Sequence, residues 1–337
     1  MTEAVQGRAS THVPGGAADR AVSAQRAAQR QERVRLGLDE LDLWLADQVR
    51  GGLASLQRAG YRPVDTMAAR LVDAQAPGLA GLLRALPASL VGEGWPGRAL
   101  EQLALLRLLV AAHRRLEELP GPLAATVRSR VGYPTAKRAV LETPGVRDEW
   151  AVLGALDVTE ERLTSRRVWL RGRRTGRWVL LLSFAVGAAG LDTSMEPGTT
   201  VEAALHRYPG AGQLRGLVGE RFGSATAGVG EVPTTGVADA ARAFGRLLAE
   251  DPWAERLPVV LEGAPLRPSR PDEPWRFRGE DGAVVPLVPG VEAWPLLARS
   301  MGDPVAVVAE WSRSGLRPLA VLPHPLDPVF SCEVLGP

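Results

Sequence analysis

The chain has 337 residues, 45% of them hydrophobic and 23% charged, with a formal net charge of +2. Such a composition belongs to a globular protein with a large core in one or two domains. It supplies no global field that would attract nucleic acid or an acidic membrane. Lys137 is the only lysine, while isoleucine and asparagine are absent. That bias reads as codon usage, so the abundance of arginine is not by itself a nucleic-acid signature. Cys332 is the only cysteine. An intrachain disulfide is therefore excluded, and a reducing cytoplasm is the expected location.

Residues 1–23 are rich in Gly, Ala, Ser and Thr and are expected to form a disordered tail. They contain no apolar stretch of the kind a secretory signal needs. The most apolar runs, such as 103–112 and 179–182, fall below the roughly 18 residues that span a bilayer. From Ala24 onward the period becomes helical. Leu38, Leu41, Leu45, Val49 (one step late), Leu53 and Leu56 recur at spacings of three and four, and Gly51-Gly52 interrupts the run. Further helices are predicted at 63–74, 78–85, 98–116 and 122–130, bounded by Pro63, Pro77, Pro87, Pro96 and the break Pro120-Gly121-Pro122. The reading is a helical domain over 24–155.

An α+β domain over 156–337 follows, with a mainly antiparallel sheet. Residues 166–171 and 177–184 read as two strands around the turn 172–176. Strands are also predicted at 199–208, 257–263, 275–278, 283–287, 305–311 and 316–322. Helices are predicted at 237–250 and 292–299. The glycine-rich stretch 219–230 lacks Gly-x-Gly-x-x-Gly spacing and reads as a flexible loop.

Candidate chemistry is sparse. His12, His113, His206 and His324 fall on separate elements with no paired cysteines, so no metal site is expected. His113 is expected at solvent or a helix end, and His324 as a lone loop residue. Lys137 has no glycine loop before it, which excludes a P-loop. No Gly-x-Ser-x-Gly elbow is present, and Cys332 near the C-terminus lacks a positioned base. The adjacent acids Glu160-Glu161 and Asp272-Glu273 are expected to be solvated. Neither a catalytic residue nor a cofactor is expected.

The arginine hairpin is the strongest local signal. Arg167, Trp169 and Arg171 alternate on one face of its first strand, Arg173, Arg174 and Arg177 surround the turn, and Trp178 opens the return. Arginines interleaved with tryptophan can grip phosphates and stack on bases. The competing reading is a surface hairpin whose tryptophan packs on arginine stems. Nine tryptophans occur in all. Most are expected as core or inter-domain anchors, Trp44 between Leu43 and Leu45 foremost.

Six phrases occur in one order: ARLVDAQAPGLAGLLR (69–84), GEGWPGRALEQLALLRLL (92–109), GVRDEWAVLG (145–154), RRVWLRGRRTGRWVLLLSFA (166–185), RYPGAGQLRGLV (207–218) and AEWSRSGLRPLAV (309–321). Together they resemble the region that follows the zinc finger in bacterial SWIM zinc finger family proteins. The family's Cys-x-Cys and Cys-x-His finger has no counterpart here, and residues 1–23 offer His12 alone. Zinc is thus expected only if a finger lies upstream. The resemblance implies a non-catalytic adaptor, accessory to a MoxR-type AAA+ ATPase and a von Willebrand A-domain protein. Nucleic-acid binding through the arginine hairpin is the second reading.

Overall fold

The computed structural model describes residues 17–160, 163–186, 190–270, 273–322 and 333–334. The chain divides into two compact units. One holds residues up to 117 together with 130–133, and the other holds 118–129 and 134 onward.

The first unit contains α1 (Ala17–Gly51), α2 (Leu53–Ala59), α3 (Tyr61–Asp73), α4 (Pro77–Arg84), a 3-10 turn (Leu86–Leu90) and α5 (Trp95–Arg114). Helix α1 begins inside the stretch expected to be a disordered tail. Its first turns, AADRAVSAQRAAQR, are mostly Ala, Arg and Gln, which favour helix without any apolar periodicity. Val34, Leu38, Leu41 and Leu45 then bury one face of α1. Val64, Met67 and Leu71 do the same for α3, and Leu103, Leu106 and Leu109 for α5. At the rim, Arg107 and Arg114 of α5 each pair with Asp42 of α1 at 2.7 Å, and Arg114 also reaches Asp39 at 2.9 Å.

In this unit one expectation fails and a second holds only in part. Trp44 is only half-buried, because it sits beside the buried Leu41–Leu45 stripe rather than on it. His113 lies in the last turn of α5 but is buried, its Nε2 3.1 Å from the Tyr133 hydroxyl and its ring stacked on the tyrosine.

The second unit opens with α6 (Gly121–Val131), whose last two residues count with the first unit, and α7 (Lys137–Leu141). A first sheet follows: β1 (Val146–Glu160), β2 (Leu163–Gly172), β3 (Trp178–Val186), β4 (Thr199–Arg207), β5 (Gly216–Arg221) and β6 (Thr226–Ala227). Its order is β3-β2-β1-β4-β5, with β6 paired to β4. Next come α8 (Val237–Glu250), β7 (Arg256–Leu266), β8 (Arg276–Gly279), β9 (Val284–Pro286), α9 (Trp294–Ser300), β10 (Val305–Ser312), β11 (Gly315–Val321) and β12 (Glu333–Val334). These strands form a second sheet in the order β12-β11-β10-β7-β8-β9. Neighbouring strands in both sheets pair antiparallel. The chain is α+β: helices first, then antiparallel sheets.

Two parts of the expected element map are corrected. Strand β1 starts at Val146, within the stretch read as helical. Its inward residue Asp148 is charged, which masks the period of two that Val146, Trp150 and Val152 carry. Residues 219–230 are not all loop either, since 216–221 is β5 and 226–227 is β6.

Period-two burial organises the second unit in layers. Ala151 and Leu153 of β1, with Trp169 of β2, meet Val260 of β7, Val308 of β10 and Ala320 of β11 between the sheets. Trp150, Val152, Val168 and Leu170 point to the opposite face of the first sheet, with Val201 and Leu205. The far face of the second sheet buries Val259, Leu261 and Phe277 against Val237 and Ala240 of α8 and Leu296 of α9. Gly154 lets the sheets approach closely, since a Cβ there would lie 3.1 Å from Leu319. No helix among the described residues is long and apolar enough to cross a membrane.

Candidate functional site at the arginine hairpin

Strands β1, β2 and β3 place the hairpin residues by register. Arg167 stands opposite Leu156 and Trp169 opposite Gly154 on β1, while Arg171 stands opposite Trp178 on β3. Arg167 and Trp169 do share one face, as their spacing implied. That face is turned toward the second sheet, so Trp169 is 1% exposed and belongs to the core between the sheets. The expectation of an exposed Arg-Trp surface is corrected at these two positions. An antiparallel sheet that packs on another buries every second residue, whatever its charge.

Glu310 of β10 receives the buried charge. It is 4% exposed, and its carboxylate accepts from Arg167 Nε at 3.0 Å and Nη2 at 3.1 Å. Trp169 Nε1 donates to the same Oε1 at 2.8 Å, and Arg256 Nε lies 3.8 Å from Oε2. The two-pronged guanidinium geometry and the indole bond leave the carboxylate well satisfied. Burial pushes the Arg167 pKa below the usual guanidinium value. Glu310 opposes that shift, and the nearby cations Arg256 and Arg317 add to it. A cleft of about 700 Å³ opens beside this network, lined by Arg167, Arg256, Glu310, Arg313 and Arg317 among others.

The remaining hairpin arginines occupy different settings. Arg171 is half-buried, and burial lowers its pKa. Arg173 is exposed and lies 3.6 Å from Glu149. Arg174 is exposed and its guanidinium donates to the carbonyl of Arg147. Arg177 is exposed, with no hydrogen bond or ion pair to its side chain among the described residues. Trp178 is half-buried and meets Trp169 edge to face, ring centres 6.4 Å apart.

The turn is organised by a residue that sequence reasoning missed. Asp148, 2% exposed, accepts from the backbone N–H groups of Glu149, Arg174 and Thr175 and from the Thr175 hydroxyl, at 2.7–3.2 Å. Burial alone would raise its pKa, but the bonds from Thr175, Arg174 and Glu149 outweigh that and lower it. At the other end of the hairpin the surface is apolar. Leu163 pairs with Val186 across β2 and β3, Phe184 pairs with Ser165, and all three hydrophobic side chains are more than 40% exposed.

The other residues singled out are dispersed. His206 Nδ1 lies 2.8 Å from the carbonyl of Thr143, with Gly145 and Gly219 against its ring. Among the described residues no group of three His, Cys, Asp or Glu side chains could hold a metal ion. His12, His324, Cys332, Glu161 and Asp272 lie outside the described residues.

Searches of curated proteins and of solved structures returned no match. A family model does match: residues 29–131 fit the SWIM-associated four-helix bundle domain. The chain thus carries, in its helical N-terminal part, the SWIM-associated domain to which its sequence phrases pointed.

Proposed function

We propose that the chain is a non-catalytic, cytoplasmic protein-interaction module, an adaptor that docks a protein partner through the open end of the β2–β3 hairpin. The observation that carries this reading is the exposed group of Leu163, Phe184 and Val186 on neighbouring strands. Exposed apolar side chains clustered in register mark protein contact more readily than solvent does. A MoxR-type AAA+ ATPase or a von Willebrand A-domain protein is the partner that the SWIM resemblance suggests. Zinc has a role only through a finger outside this chain.

Nucleic-acid binding through the hairpin, the second reading, has less support. A stacking platform needs an exposed aromatic ring beside free cations. Trp169 is buried, Trp178 is half-buried against it, and Arg167 is held by Glu310.

Affinity purification from the native host tests the adaptor role. A AAA+ or von Willebrand A-domain protein should co-purify, and the same protein, purified, should bind the wild-type chain directly. Phe184→Ser with Val186→Ser should abolish that binding while leaving the circular dichroism spectrum unchanged. Repeated recovery of the chain alone under mild conditions, or a partner indifferent to both substitutions, would refute the role.

A further inference from the structure

Strand β4 ends at Arg207, and the chain then turns through Tyr208-Pro209-Gly210 toward β5. The Arg207 guanidinium is half-buried at this corner. Its Nη2 donates to the carbonyl of Trp178 at 3.1 Å, while Nε is buried without a hydrogen-bond partner. No carboxylate pairs with it among the described residues. Burial lowers its pKa, and the one charge that contributes is Arg177, a second cation. Arginine cannot shed its proton at ordinary pH, so this group stays charged in a site that penalises charge. Arg167, likewise half-buried, has Glu310; among the described residues neither Arg207 nor Arg171 has such a counter-ion.

The space beside Arg207 is a pocket of about 660 Å³ between the 207–214 segment, α6 and α8. Tyr208, Gln213, Arg246, Leu247 and Glu250 share its lining. Arg246 is exposed and has no ion pair among the described residues. Arg207 and Arg246 thus both line one pocket, and Glu250 is the single carboxylate in its lining. An oxyanion in the pocket supplies the charge that Arg207 lacks among the described residues, accepting charge-assisted hydrogen bonds from guanidinium N–H groups.

We propose that the Arg207–Arg246 pocket binds a small oxyanion, a phosphate or carboxylate group, with Arg207 as the inner ligand and Arg246 as the outer one. The site is independent of the hairpin patch and does not rest on the adaptor reading. The phosphate and carboxylate sources differ in charge and shape, so direct titration separates them.

The test is isothermal titration of the full chain at low ionic strength with inorganic phosphate and, separately, with succinate. Saturable binding of either should occur, and the tighter one identifies the group. Arg246→Gln, an exposed change that spares the fold, should weaken it about tenfold or more, as loss of a charged hydrogen bond does. Arg207→Gln should abolish it, whereas Arg276→Gln on β8 should leave it intact. Should Arg207→Gln fail to fold, Arg246→Gln alone decides. No binding of either anion, or binding that Arg246→Gln leaves unchanged, would overturn the proposal.

Discussion

The carboxylate of Glu310 grips the guanidinium of Arg167 across the space between two sheets, at 3.0 and 3.1 Å, in a core otherwise made of Val, Leu, Ala and Trp. The partners are separated by 143 positions in sequence, so the pair ties the hairpin to the late strand β10. Removing one member of such a pair strands the other as an unpaired buried charge, which costs about 3–5 kcal/mol. Replacing both with apolar groups of similar size removes that penalty. Arg167→Met and Glu310→Leu should therefore each destabilise strongly in urea unfolding. The double variant should lose less than the sum, with a coupling of about 2 kcal/mol or more. Additive losses would show that the two side chains do not meet.

Asp148 gives the fold a dependence on acid. Its pKa is lowered in the folded state, so the stability it contributes is complete above the ordinary carboxylate range and is lost as pH falls through the folded value. Asp148→Asn, which cannot accept the same set of bonds at both atoms, should cost about 1–3 kcal/mol at neutral pH. The difference from wild type should shrink below about pH 4. Chemical denaturation at a series of pH values checks this. A gap that is constant down to acid pH would contradict it.

Two helical glycines in the first unit should respond in opposite directions to the same change. A Cβ on Gly37 would lie 2.4 Å from the Cβ of Ala74, so Gly37→Ala should destabilise by about 1–3 kcal/mol through overpacking between α1 and the end of α3. Gly81 of α4 meets nothing within 4 Å, and Gly81→Ala should stabilise by about 0.5–1 kcal/mol through helix propensity alone. Thermal unfolding of the two variants tests the packing of α1 directly. A gain from Gly37→Ala would mean that α1 and Ala74 stand further apart.

Much of this architecture is legible in the sequence because local rules dominate there. Prolines mark the starts of α4 and α5, and the 172–176 turn falls where Gly172 and Gly176 flank it. What stays hidden depends on register. The face carrying Arg167 and Trp169 can be read from alternation, but whether it meets water or a second sheet depends on strands far along the chain. One signal was available: Glu310 is a lone acid inside the apolar run VAVVAEWS, and such a residue needs a buried cation. Asp148 was harder to see. Its charge breaks the apolar alternation of β1, and its role emerges only when the turn folds back over it. The Arg207 corner was visible as part of a familiar phrase, but its missing counter-ion is a fact of three dimensions.

The proposed adaptor role assigns the hairpin to protein contact and not to nucleic acid. Fluorescence anisotropy of a labelled single-stranded oligonucleotide, titrated with the full chain at low salt, measures this directly. The expected result is no saturable binding. Saturable binding that falls steeply with added salt, and that Arg173→Gln with Arg177→Gln removes, would contradict it.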